Sequence, residues 1–282
     1  MTARAGAGSV DLHVHTLFSD GTLTPHELVA RAMREGLGVL GITDHDTVEG
    51  VPEALTAAKG TPLRIVPGVE ISTDMDGCEL HILGYLIDPY HHDLLDALAQ
   101  FRQQRLDRAL QMVDRLKDLG LPLSWERVLD LAGEGVVGRP HIARALQEAG
   151  YVNSLQEAFE EYLNQERPAY VSRYKMTPAQ AMELIHQAGG VSALAHPWSV
   201  LSTLPDLVRV GLRGLEVYYP GYSPAVTTEL RQLARQHHLV CTGGSDFHSP
   251  DDRPENQLGQ IFVPRSCLEA LDAAKPPACA TA

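Results

Sequence analysis

The stretch Val10-Asp11-Leu12-His13-Val14-His15-Thr16-Leu17-Phe18-Ser19-Asp20-Gly21 alternates over its first half. Val10, Leu12 and Val14 are apolar; Asp11, His13 and His15 are polar. That period belongs to a β-strand, in which side chains two apart share a face, roughly 7 Å apart along the chain. His13 and His15 therefore point the same way, and Asp20 follows after a short turn. One face is apolar enough to be buried against helices. The other carries two imidazoles and a carboxylate, which need partners if buried. A divalent metal is a suitable partner, because neutral imidazole nitrogens ligate it directly. A strand with one wet face is the plainer alternative.

Outward from this strand the chain keeps a strand–helix rhythm. Thr24, Pro25 and Glu27 form a capping box with proline at the favoured place, which predicts a helix over 24–35, stopped by Gly36. Apolar runs at 39–43, 63–69 and 79–86 predict further strands, with a helix over 51–59 between the first two. Polar residues sit at or just beyond the ends of the runs: His45 after the second, Glu70 after the third, with His81 inside the fourth. The spacing predicts parallel βα units, whose strand ends carry the active site.

The rhythm breaks between about 89 and 173, where only helical periodicity is found. Leu94, Leu98, Phe101, Leu106, Leu110, Val113 and Leu116 recur at helical spacing up to Gly120. Shorter helices are predicted over 125–131, 140–149 and 155–164. An inserted helical subdomain over 90–173 is the simplest account; helices of one continuous wall are the alternative. From Thr177-Pro178 the α/β pattern resumes, with strands over 191–195, 215–219, 239–243 and 258–264 and a helix over 224–237. The expected architecture is α/β, with a main domain of 8–89 and 174–270 and an unstructured tail over 271–282.

Composition bounds the function. The chain has 282 residues, 44% hydrophobic and 21% charged, enough for one large soluble domain with an insertion. A net charge of −13 argues against gripping long duplex nucleic acid and leaves room for a small anionic substrate. No run reaches the roughly 20 apolar residues of a membrane span, and residues 1–9 have no signal-peptide core, so a cytoplasmic location with no membrane partner is expected. Cys78, Cys241, Cys267 and Cys279 show no Cys-x-x-Cys pairing and read as reduced thiols.

The strand ends together offer His13, His15, Asp20, His45, Glu70, His81, His196, Asp246 and His248. Asp246 and His248 repeat the two-apart spacing of His13 and His15. Nine such groups at one end of a parallel fold point to several metal ions rather than to coincidence. His26, His91, His92, His186, His237 and His238 fall on predicted helices or loops and read as ordinary residues.

Asp11-Leu12-His13-Val14-His15, Phe18-Ser19-Asp20-Gly21, Thr43-Asp44-His45-Asp46, Pro67-Gly68-Val69-Glu70, His81-Ile82-Leu83-Gly84, Ala195-His196-Pro197 and Gly244-Ser245-Asp246-Phe247-His248 together resemble the PHP (polymerase and histidinol phosphatase) family of metal-dependent phosphoesterases. Gly138-Arg139-Pro140-His141 and Ala188-Gly189-Gly190 resemble the branch acting on nucleotide 3′-phosphates and short oligoribonucleotides. The resemblance implies a distorted (β/α)7 barrel whose helical insertion caps the active site. It implies two or three divalent ions, Mn, Fe or Zn. One would take His13, His15, Glu70 and Asp246; a second Asp20, His45 and His248; a third His81 and His196, with Glu70 bridging. Asp20 stands where some relatives have histidine. Asp246, His248 and Glu70 would lie nearest the chemistry, in which a metal-bridging hydroxide attacks the phosphate. Asp11, Asp44 and Asp46 are candidates for orienting the ligand imidazoles. No Gly-x-Ser-x-Gly or Walker loop offers another route, and Ser245 reads as turn structure.

Arg139 and His141 begin a helix, whose free N–H groups and guanidinium suit a phosphate. Arg173 and Lys175 are weaker candidates for the same task, and Tyr218, Tyr219 and Tyr222 could stack on a base. The expected substrates are small phosphorylated nucleotides or short single-stranded RNA. A phosphatase for another metabolite such as histidinol phosphate, and a non-catalytic PHP scaffold, are the alternatives.

Overall fold

The structure is a computed structural model that describes residues 9–133, 137–172 and 176–276. The chain separates into two compact units, one of Met1–Asp96 with Met176–Ala282 and one of Ala97–Lys175.

The first unit is built on a seven-stranded sheet in sequence order. Its strands are β1 (Ser9–Asp11), β2 (Leu37–Ile42), β3 (Arg64–Met75), β4 (Cys78–Tyr85), β5 (Val191–Leu194), β6 (Gly214–Tyr218) and β7 (Val240–Gly243). The helices of this unit include α1 (Pro25–Arg34) and α2 (Gly50–Ala57), and the long α3 (His92–Asp118) begins in it. Thr24 caps α1, accepting from the Glu27 N–H while the Glu27 carboxylate accepts from Thr24, as the capping box predicts.

The parallel expectation needs one correction. β3 and β4 form an antiparallel hairpin with Met75 opposite Cys78, and β4 is also antiparallel to β5. The two turn residues, Asp76 (φ 53°) and Gly77 (φ 89°), both take positive φ, the requirement of the tight hairpin turn that Asp-Gly favours. β3 accordingly runs past Glu70, which lies inside the strand rather than at its end.

β1 is also shorter than the alternation predicts. It pairs with β2 through Asp11, and the chain then leaves the regular ladder while keeping an extended course. Leu12 N–H donates to Gly243 O at 3.2 Å, and Val14 bridges Phe247 in parallel. Val14 O accepts from Thr43 N–H on the other side. The two-apart geometry of His13 and His15 survives because both neighbours hold this segment extended. Leu12, Val14 and Phe247 are fully buried beneath it.

The second unit holds most of α3, with α4 (Trp125–Ala132), α5 (Arg139–Glu148) and the single turn α6 (Leu155–Ala158), which runs on into a π-helical turn, Phe159–Leu163. Its own core contains Leu116, Val128, Ile142, Leu146 and Leu163, all fully buried. Back in the first unit follow α7 (Pro178–Gln187), α8 (Leu204–Arg209), α9 (Pro224–Gln236) and α10 (Arg265–Ala274). The strand expected over 258–264 is only a bridge, Val10 with Val263. α10 occupies the start of the expected tail, because Cys267, Leu268 and Leu271 bury one helical stripe; residues 277–282 lie outside the described residues. Among the described residues no helix is long and apolar enough to cross a membrane.

Candidate metal centre

The first unit brings all nine sequence-predicted donors together. His13 and His15 follow β1, Asp246 and His248 follow β7, and backbone bonds weave the two segments: Asp246 N–H donates to His13 O and His15 N–H to Phe247 O, each at 2.9 Å. Gly244 permits this approach, since a Cβ there would lie 2.4 Å from the His13 backbone nitrogen. His45 follows β2, and its backbone bridges that of Glu70 on β3. His81 lies on β4, and His196 follows β5. His196 (φ 29°) and Asp246 (φ 51°) adopt left-handed backbone. Such strain costs about 1–3 kcal/mol per residue and persists where surrounding structure imposes it, commonly at functional sites.

Glu70 is the hub. Its Oε2 lies 3.2 Å from His13 Nε2, 3.3 Å from His15 Nε2 and 3.1 Å from His45 Nδ1. Its Oε1 lies 3.0 Å from His81 Nδ1 and 3.3 Å from His196 Nε2. Asp246 Oδ1 stands 3.3 Å from His13 Nε2 and 3.2 Å from His15 Nε2. His13 Nε2 and His15 Nε2 are themselves 3.2 Å apart. Donors placed about 2.0–2.1 Å from one ion at tetrahedral angles are separated by about 3.3 Å, so these four atoms have the spacing of a ligand shell. Asp20 completes a second group: its Oδ1 is 3.2 Å from His248 Nε2 and its Oδ2 3.7 Å from His45 Nε2.

Three groups of donors converge within 4.8 Å: His13, His15, Glu70 and Asp246; His15, Asp20, His45 and His248; and His45, Glu70 and His81. In the third, His45 joins where the resemblance implied His196, whose Nε2 reaches the same Glu70 oxygen. His45 Nδ1 is buried without a hydrogen-bond partner although a carboxylate oxygen is nearby. An orphaned imidazole lone pair among nitrogen and oxygen donors fits a divalent cation.

Without metal the cluster must hold protons instead. Burial disfavours a charged His15 ring, but the carboxylates of Asp246, Glu70 and Asp20 overcome it and raise the group to about 10. His81, against the same burial, is raised to about 9 by Glu70 and Glu79. Burial, reinforced by the neighbouring His15 and His81 charges, instead pushes His45 down to about 4. Glu70 and Asp246 resist burial and stay well below the usual carboxylate range because the imidazoles surround them. A metal takes only neutral imidazole. Groups raised above neutrality are protonated at pH 7.5, so loading the stripped protein is expected to release protons, and affinity to climb as pH rises toward about 10. Calorimetry in buffers of different ionisation enthalpy measures this; binding without proton release would contradict it.

The residues behind the donors differ from expectation. Asp11 accepts from Ser245 N–H at 2.9 Å, and Asp44 from Thr16 N–H, Thr16 Oγ1 and Ser19 Oγ, so these two pin the woven backbone rather than imidazole rings. Asp46 accepts from Ser72 N–H and Oγ. The carboxylate on His13 Nδ1 is Glu216 of β6, at 2.9 Å and fully buried, whose Oε2 also accepts from His196 N–H at 2.7 Å. It directs His13 Nε2 toward the cluster. Glu216 was readable as a charged residue inside the apolar run Gly-Leu-Glu-Val-Tyr.

Tyr219 does not stand free for base stacking. Its hydroxyl donates to Asp246 Oδ2 at 2.7 Å, leaving Oδ1 to face the histidines, and its ring meets the edge of His196. The Tyr222 hydroxyl accepts from Trp198 N–H, just beyond His196. Loss of a partner of this kind costs roughly 10–100-fold in metal affinity or activity. Tyr219→Phe is expected to fall in that range in kcat, with recovery at high metal; unchanged kcat at limiting metal would contradict the role.

In the second unit Gly138 N–H donates to His141 Nδ1 at 3.1 Å, which closes the N-terminus of α5, and the Arg139 guanidinium lies 5.9 Å from the Phe159 ring centre. Arg173 and Lys175 lie outside the described residues.

Fold and donor set together define a phosphoesterase class, and the comparisons agree. Residues 11–193 match the PHP domain family. The chain is 41% identical over 249 residues to the 5′-3′ exoribonuclease Rnm of Salmonella typhimurium, covering 85% of each chain. It is 32% identical over 252 residues to the 3′,5′-nucleoside bisphosphate phosphatase of Chromobacterium violaceum, covering 86% of this chain and 88% of the relative. A candidate metal-dependent phosphoesterase from Bifidobacterium adolescentis superposes with a TM-score of 0.81 at 32% identity, over 97% of this chain and 99% of that one. The chain belongs to the PHP family, and it is a hydrolase of the phosphoesterase kind.

Proposed function

We propose that this chain hydrolyses phosphate esters of nucleotides, such as 3′,5′-bisphosphonucleotides, or of short oligoribonucleotides. The observation that carries the reading is the single buried carboxylate of Glu70 with five imidazoles on its two oxygens. The two curated relatives are named for reactions at nucleotide phosphates, which favours nucleotides over histidinol phosphate. The complete donor set disfavours a non-catalytic scaffold. The seven strands in sequence order support a distorted barrel, with residues 90–173 as an inserted helical subdomain; the separate compact unit Ala97–Lys175 supports that reading.

His13, His15, Glu70 and Asp246 would hold one divalent ion, Asp20, His45 and His248 a second, and His81 with His196 and Glu70 a third. Such ions, Mn, Fe or Zn, supply Lewis acidity toward phosphoryl oxygens and make water available as a nucleophile at neutral pH. Asp246, steered by Tyr219, and Glu70 set the spacing of that centre, while Glu216 holds His13 in register. Arg139 and His141, and with them Arg173 and Lys175, would bind substrate phosphate; Arg139 offers planar bidentate contacts and His141 sits on the first turn of α5.

Arg139→Ala is expected to weaken phosphate capture by roughly 1.5–3 kcal/mol, the cost of a lost charged hydrogen bond, seen mainly in KM. Unchanged KM on every substrate would remove Arg139 from the site. The test of the function itself compares kcat/KM on a bisphosphonucleotide, a short single-stranded RNA, histidinol phosphate and long duplex DNA. Preference for either of the first two is expected; preference for either of the last two would overturn the reading.

A further inference from the structure

The first unit contains a cavity of about 600 Å³ between α9, β7 and α10, lined by Tyr218, Arg231, Gln232, Arg235, His238 and Cys241 among others. None of the nine metal-centre donors lines it, and no aspartate or glutamate does. The lining therefore carries cationic side chains with no carboxylate among them, in a chain whose net charge is −13. Arg231 and Arg235 are four apart on α9 and so point to one side of the helix. Neither they nor His238 is paired with a carboxylate among the described residues. Arg231 lines the cavity together with Cys241 and Cys267, so its side chain borders the same space as the two thiols.

Two like charges four apart on a helix repel each other weakly, and an anion bound between them would relieve that repulsion. Guanidinium pairs of this kind suit the planar oxygens of a phosphate. The half-buried Tyr218 supplies an aromatic wall, and Gln232 a side-chain amide that donates and accepts. The volume falls in the range of small-ligand sites and exceeds what inorganic phosphate alone requires.

We propose that this cavity is a second ligand site, separate from the metal centre, that takes a small phosphate monoester of nucleoside-monophosphate size, with the phosphate on Arg231 and Arg235 and the remainder against Tyr218. The site rests on its own charge and lining and does not depend on which substrate the metal centre cleaves.

Cys241, partly exposed in the cavity wall, and Cys78, exposed at the start of β4, provide a local probe and an internal control. The experiment follows alkylation of each cysteine by mass spectrometry in the intact protein, with AMP, adenosine, inorganic phosphate or a short RNA added. AMP is expected to slow alkylation of Cys241 at least fivefold at saturation and leave Cys78 unchanged. In the double variant Arg231→Gln, Arg235→Gln the AMP concentration giving half protection should rise at least tenfold. Both arginines are exposed, so the variant keeps its fold, and continued slow alkylation of the buried Cys267 confirms this. The same double substitution leaves the metal-centre residues intact, so phosphoesterase turnover provides a separate check. Absence of AMP protection, equal protection by adenosine, or protection that survives the double variant would each overturn the proposal. Protection by short RNA without protection by AMP would also overturn it, making the cavity part of a strand path.

Discussion

Glu70→Gln is expected to abolish phosphate release, with kcat/KM falling by roughly a thousandfold or more, about 4 kcal/mol of lost stabilisation. The substitution preserves shape and removes one charge. That charge faces His13, His15 and His45 through one oxygen and His81 and His196 through the other. An amide offers one oxygen where the carboxylate offers two, and its NH₂ would point into imidazole lone pairs. Two of the three donor groups lose their shared member. The backbone of β3 is held by its ladder with β4, including Glu70 opposite Leu83, so the sheet itself should persist. Far-UV circular dichroism unchanged with activity lost is the expected pair of results. Activity within tenfold of the parent would place the chemistry elsewhere.

Asp246→Asn is the second large effect, with His15→Ala as its companion. Asp246 Oδ1 completes the group with His13 and His15, and its Oδ2 takes the Tyr219 hydroxyl. Asparagine keeps the size and one acceptor, so the loss reports charge and ligation rather than packing. A fall of at least about a hundredfold in kcat is expected, above the range for residues behind the ligands. His15 contributes to two of the three groups, one through each ring nitrogen, and its removal should be at least as damaging. Glu70→Gln should empty more of the centre than Asp246→Asn, which elemental analysis of the two variants resolves. Near-parental turnover of Asp246→Asn in a metal-replete assay would show the site misplaced.

Most of the donor set is visible in sequence because the ligands punctuate strands. His13-x-His15 and Asp246-x-His248 share the same two-apart spacing; the structure holds the first segment extended and pairs it with the second, in which Asp246 takes left-handed backbone. What escaped was tertiary. Glu216 looks like one polar residue in a short strand, and only the closure of β6 against the segment after β1 shows that it meets His13. Tyr219 sits just past the same strand and acts across 27 positions on Asp246. The reversal of β4 was readable in Asp76-Gly77, a two-residue turn signal, but the repeating βα rhythm on either side argued for parallel strands. The α10 stripe of Cys267, Leu268 and Leu271 was equally readable, and the helix it marks follows the Val263 bridge and runs into the expected tail.

Turnover counted against metal tests the central claim most directly. Chelator-stripped protein is titrated with Mn(II), and phosphate release from a 3′,5′-bisphosphonucleotide is measured at each equivalent bound. The donor groups predict no turnover in the stripped protein and a rise that saturates at about two or three ions per chain. Full turnover without metal, or saturation below about one ion per chain, would contradict the account.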